Sequence, residues 1–149
     1  PIFIGLFLYL DIMSFMKKIF FTLLFIFSIP SYADWDLIYK DETINSEYFM
    51  DLSNYKRNKN KVRAWTLENF LELQIAEPIK YKSVKSFVEF NCADPSLRIL
   101  AYSLYEKNMG LGKTVFSKGR PMQWIKVNSN TMFSSYFEII CAESENRII

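Results

Sequence analysis

Two cysteines constrain this chain more than any other feature. Cys92 and Cys141 are the whole thiol complement of 149 residues, and the chain begins with what reads as an export signal. Met16-Lys17-Lys18 supplies a positive start, Ile19 to Ile29 an apolar run, and Pro30 a break. Ser31-Tyr32-Ala33 then offers small residues ahead of a cut. The apolar run falls short of the roughly 20 residues that cross a bilayer as a helix. The alternative is a retained anchor extended by the apolar stretch 1–10, but Asp11, Lys17 and Lys18 interrupt such a span. An exported chain with two cysteines and none left over implies one disulfide. Two free buried thiols are the alternative. A Cys92–Cys141 bond closes a loop of about 50 residues, worth roughly 4 kcal/mol in the chain-entropy picture and so a large share of a small domain's stability.

These features divide the chain into residues 1–15, read as upstream read-through, a signal peptide over 16–33, and a single domain over 34–149. Met16 is the expected start, with Met13 as the alternative. A domain of about 116 residues is long enough to bury roughly two thirds of its unfolded surface. The whole chain carries 18 basic and 16 acidic residues. Without Lys17, Lys18 and Asp11 the balance is 16 to 15, about +1. That argues against a nucleic-acid partner, which usually meets a strongly basic face. No cysteine stands near the cut, so no lipid anchor is evident.

Most of the domain alternates with period two. Strands are expected at Trp35–Tyr39, Glu47–Leu52, Val62–Phe70, Val84–Cys92, Leu97–Tyr105 and Thr114–Ser117. A polar turn is expected over Asn54–Lys61, a loop at "EPIKYK" because Pro78 cannot donate to a ladder, and a glycine turn over Asn108–Gly112. Val84, Val88, Phe90 and Cys92 share one face of their strand, which places Cys92 on the core side. From Asn130 to Ala142 the period becomes helical. Phe133, Phe137, Ile140 and Cys141 form one face, and Ser129 or Asn130 is the expected N-cap. Strands followed by one helix read as α+β: an antiparallel sheet of about six strands, covered by a C-terminal helix that the disulfide tethers.

Few residues suggest chemistry. The chain has no histidine, which removes Ser-His-Asp and Cys-His catalysis and the commonest zinc ligand. "GLGK" at Gly110–Lys113 lacks the context of a phosphate loop and reads as a turn. No catalytic residue, metal site or cofactor is therefore expected. Paired carboxylates, Glu68 with Glu72 and Glu77 or Asp34 with Asp36 and Asp41, are the remaining acid–base candidates, and solvated surface groups are the simpler reading. The basic turn carries Lys56, Arg57, Lys59, Lys61 and Arg63. These five are the candidate ligand contacts, toward an acidic glycan or an acidic protein segment. The simpler reading is a soluble hairpin tip whose lysines guard a sheet edge. Phe87 and Tyr102 are candidates for an exposed aromatic patch on the face away from the helix.

Tyr48 to Asp51, Val62-Arg63-x-Trp65, Lys82-Ser83-x-Lys85 leading to Cys92, "MGLG", Pro121-x-x-Trp124 and the final cysteine together resemble the surface-adhesin protein E family of Gram-negative bacteria. The resemblance runs from Trp35 to Cys141. It implies a curved antiparallel sheet with a disulfide-tethered C-terminal helix, and an exported, non-enzymatic module that binds host extracellular-matrix or serum proteins such as vitronectin and laminin. It transfers only Cys92 and Cys141, as structural residues. The chain departs from the family in lacking a lipid-attachment cysteine at the cut. Localisation is thus the outer cell surface or the periplasm. The alternative function is a periplasmic envelope-accessory protein with a bacterial partner. A homodimer through a sheet edge is a further expectation.

Overall fold

Alternating apolar residues build the sheet, and hairpin connections make it antiparallel throughout. A computed structural model describes residues 34–146. The expected read-through segment 1–15 and signal peptide 16–33 lie outside the described residues. The strands are β1 (Asp36–Asp41), β2 (Ser46–Met50), β3 (Lys56–Asn58), β4 (Lys61–Ala76), β5 (Ile79–Asn91), β6 (Ser96–Tyr105), β7 (Thr114–Lys118) and β8 (Ile125–Lys126). A 3-10 turn, η1, spans Asn108–Gly110, and one helix, α1, spans Met132–Asn146. The curved sheet runs β1-β2-β4-β5-β6-β7. These are the six expected strands. The two further strands are short: β3 pairs with β4, and β8 with β6.

One face of the sheet is covered by α1. Tyr48, Val62, Ala64, Val88, Phe90 and Leu97 meet Tyr136 and Ile140 of the helix in a single buried cluster. Each Val, Leu, Ile or Phe side chain among them taken out of water stabilises by roughly 1.5–3 kcal/mol. The Tyr136 hydroxyl donates to the Phe49 carbonyl at 3.2 Å and ties the helix to β2. Cys92, just past β5, is bonded to Cys141 of α1, with Cα atoms 5.7 Å apart. The expected tether is present. Both cysteines sit at the edge of the cluster, half-buried, and Tyr136 stands at its centre.

Three local expectations are corrected. "EPIKYK" is not a loop: β4 runs to Ala76 and β5 resumes at Ile79, leaving only Glu77 and Pro78 between them, joined by a cis peptide bond. The missing donor of Pro78 carries no cost in a turn, so the strands extend past it. The polar turn is itself a hairpin. Lys56 pairs with Arg63 and Asn58 with Lys61, and the reversal falls at Lys59, whose φ of 54° is left-handed. The helix N-cap is Thr131. Its Oγ1 accepts from the Ser134 N–H at 3.2 Å, and the Ser134 Oγ accepts from the Thr131 N–H at 3.1 Å. This is a reciprocal capping box, whereas Asn130 has φ of 60° and precedes the cap.

The face opposite α1 is closed at one end. Asn69 Oδ1 accepts from the Met109 N–H at 2.9 Å, and Ser83 Oγ accepts from the Gly110 N–H at 2.9 Å, so η1 folds across it. Beneath η1, the Lys85 ammonium lies 5.7 Å from the Trp35 ring and 5.3 Å from the Tyr105 ring. Burial lowers its pKa. Among the described residues no helix is long and apolar enough to cross a membrane.

Candidate functional site

At the other end no described residue closes the same face, and cross-strand pairing decides what it displays. Side chains directly opposite in an antiparallel pair point the same way. Lys56 lies opposite Arg63, Arg63 opposite Glu89, and Glu89 opposite Arg98. One row of charged side chains, three cations around a single carboxylate, thus crosses β3, β4, β5 and β6. One step along, Trp65 is opposite Phe87, and their rings stack at 5.0 Å with Trp65 left 42% exposed. A groove of about 590 Å³ results, lined by Lys56, Arg57, Asn58, Lys61, Arg63, Phe87, Glu89 and Arg98.

Glu89 is the centre of this site. Its side chain is 1% exposed, between Arg63 at 51% and Arg98 at 28%. Arg63 Nε donates to Oε1 at 2.7 Å, and Arg98 donates to Oε2 through Nε at 2.7 Å and Nη2 at 2.6 Å. Burial pushes the carboxyl up, but the hydrogen bonds and charges of the two arginines outweigh it and hold the pKa below the ordinary value. Trp124, from the connection between β7 and β8, packs its ring 4.6 Å from the Arg98 guanidinium and 5.1 Å from the Lys61 ammonium.

The structure gathers four of the five basic candidates, Lys56, Arg57, Lys61 and Arg63, on this groove. Lys59 is outside the lining and takes the hairpin reversal, its carbonyl accepting from Arg57 Nε at 2.9 Å. Glu89, Arg98 and Trp124 were missed. Arg98 was hidden because "LRILAYSLY" reads as apolar on both faces, and Glu89 because a lone glutamate in a strand reads as solvated. The two aromatic candidates do not form one patch. Phe87 lines the groove, but Tyr102 is opposite Ser86, on the helix side, where it packs on Phe116 at 5.8 Å. A register shift is responsible: Phe87 pairs with Ala101 and Val88 with Ile99, so Leu100 is extra and the alternation changes phase.

The carboxylate candidates are not brought together either. Glu68 is half-buried beneath α1, and burial pushes its pKa up to about 7. Glu72 accepts from Asn45 at 3.4 Å, and Glu77 is exposed at the hairpin tip. Asp41 caps a turn by accepting from the Thr43 N–H at 2.9 Å, and Asp36 accepts from the Leu52 N–H at 3.3 Å. What the site does offer is a fixed cationic and aromatic surface.

Among curated proteins no match is found. Among solved structures the chain is similar to protein E of Haemophilus influenzae, with 18% identity and a TM-score of 0.57 over 74% of this chain and 86% of that one. It is equally similar to protein E from non-typeable Haemophilus influenzae, with 19% identity and a TM-score of 0.56 over 78% and 82%. At such identity the likeness establishes the fold. The family model for surface-adhesin protein E matches residues 35–142, nearly all of the described domain. The chain therefore belongs to the surface-adhesin protein E family.

Proposed function

We propose that this protein is an exported, non-enzymatic adhesin that binds a host extracellular-matrix or serum protein through the open face of its sheet. The groove around Glu89 carries this reading. Interfaces are enriched in arginine and aromatic side chains, and this groove concentrates both on a rigid sheet while the opposite face is occupied by α1. Family membership supplies the class of partner. The test is a binding titration of purified residues 34–149, disulfide intact, against immobilised vitronectin and laminin. Saturable binding that weakens in a Lys56→Ala/Lys61→Ala double variant is expected. No saturable binding to any matrix or serum protein would remove the adhesin reading.

Surface placement is part of the same proposal. Protease shaving of intact cells, with a periplasmic marker as leak control, is expected to release peptides from residues 54–63 before the marker is cut. Release only after the outer membrane is opened would favour the periplasmic accessory role instead.

A further inference from the structure

We infer that the groove reads carboxylates: Arg63 and Arg98 form a fixed two-guanidinium clamp for the Asp or Glu side chains of an acidic protein segment, and Glu89 is the positioning residue that sets the clamp. The inference rests on reading the groove as the contact face and adds the chemistry of what it contacts.

The geometry around Glu89 carries it. Both guanidinium groups meet the buried carboxylate through Nε, at 2.7 Å each. A guanidinium held along its Nε edge still has N–H donors that are not turned toward Glu89. Those donors match the two oxygens of a carboxylate as a fork. A free arginine loses about 2 kcal/mol of rotamer entropy when it is fixed. Here Glu89 fixes both side chains before any ligand arrives, which cuts the cost of binding. Trp124 adds a third restraint on Arg98, at 4.6 Å.

Charge and shape agree. Lys56, Lys61, Arg63 and Arg98 share the face of Glu89, a local net of 4 − 1 = +3, in a chain whose total is +2. The excess attracts an anionic segment and speeds its arrival. Exposed Trp65, stacked on half-buried Phe87, adjoins the clamp and offers an apolar side chain of the same segment a place to bury. A sulfated glycan would use the charges but leave that subsite empty.

Glu89 makes the test sharp, because charge and geometry predict opposite outcomes. Glu89→Gln removes a negative charge from the groove, so attraction by net charge alone predicts tighter anion binding. Loss of the positioning residue predicts weaker binding. The probe is a ten-residue Glu/Asp-rich peptide with one Phe, titrated into the disulfide-bonded domain at low salt and followed by tryptophan fluorescence and calorimetry. A heparin oligosaccharide is the comparison ligand. The expected result is weaker peptide binding in Glu89→Gln by about fivefold, and by about tenfold in Arg98→Lys, which keeps its charge but loses the fork. Arg98 is partly exposed, so this second variant reads the clamp even if Glu89→Gln folds poorly. Melting curves report that directly. Either variant binding as tightly as wild type while folded, no peptide binding by wild type, or heparin binding that exceeds the peptide and ignores Arg98→Lys would overturn the clamp. Host-protein binding that survives Arg98→Lys would sink the clamp and leave the adhesin reading standing. Peptide binding that behaves as described, without any host-protein binding, would do the reverse.

Discussion

Glu68 makes a stability prediction that can be worked through. Its carboxyl lies between Tyr48 of β2 and Val84 of β5 in the register and faces the underside of α1, beside Tyr136. Burial raises its pKa from 4.5 to about 7. The same carboxylate, after burial itself, helps to raise Tyr48 to about 12 and to hold Tyr136 above its ordinary value. A raised acid pKa means that the native state keeps the proton after the unfolded state has lost it. Stability from this group is therefore complete below about pH 4.5, falls as pH rises through the window, and reaches its lowest level above about pH 7. The span is 7 − 4.5 = 2.5 units, or about 3 kcal/mol at most. Glu68→Gln keeps the shape and removes the titration. The variant should match wild type at pH 4 and exceed it at pH 8 by up to about 3 kcal/mol, about 10 °C in Tm for a domain of this size. Denaturant unfolding at pH 4, 6 and 8, disulfide intact, gives the difference curve, which cancels the opposite contributions of Asp41 and Glu89. Parallel curves at all three pH values would show that Glu68 is as well solvated folded as unfolded, and would refute the reasoning.

Cys92→Ser and Cys141→Ser should each cost about 4 kcal/mol by chain entropy for the 49-residue separation. The double variant should cost no more than either single, as measured by urea midpoints. A far worse double would contradict a shared bond. Gly110→Ala should lose about 2 kcal/mol, because φ is +66° and a Cβ there overlaps the Lys85 side chain between its two rings. Gly119→Ala, where a Cβ meets nothing within 4 Å, is the matched control and should be neutral. Thr131→Ala should cost about 1 kcal/mol by opening the capping box of α1, and amide exchange in the first turn of the helix should rise with it.

Periodicity carried the sheet because burial acts on every second residue of a strand wherever the strand lies. Val88 and Phe90 announced their buried face, and Phe133, Phe137, Ile140 and Cys141 announced a helix. Boundaries were less legible. Ser129 or Asn130 is the cap the sequence suggests where the fold uses Thr131, and the extent of β4 past Phe70 depends on its pairing with β5 and not on its own composition. The basic run was visible as a run, but its meaning was not. Arg63 in sequence is one cation among five, and only in the fold does it share a carboxylate with a residue 35 positions later.

The amino-acid sequence by itself determined where the six main strands lie along the chain, the terminal helix and the Cys92–Cys141 bond, since these follow from local alternation, a change of period, and two thiols with no other partner. The tertiary structure alone decided the site. Glu89 became a positioning group because register set it between Arg63 and Arg98. Tyr102 left the aromatic patch because one extra residue at Leu100 turned it to the other face. Trp124 reached Arg98 because its connection runs along β6, with the Met122 N–H donating to the Ile99 carbonyl and Ile125 pairing with Leu97. Each depends on cross-strand register, which is set by the packing of the whole domain and leaves no mark on any one segment.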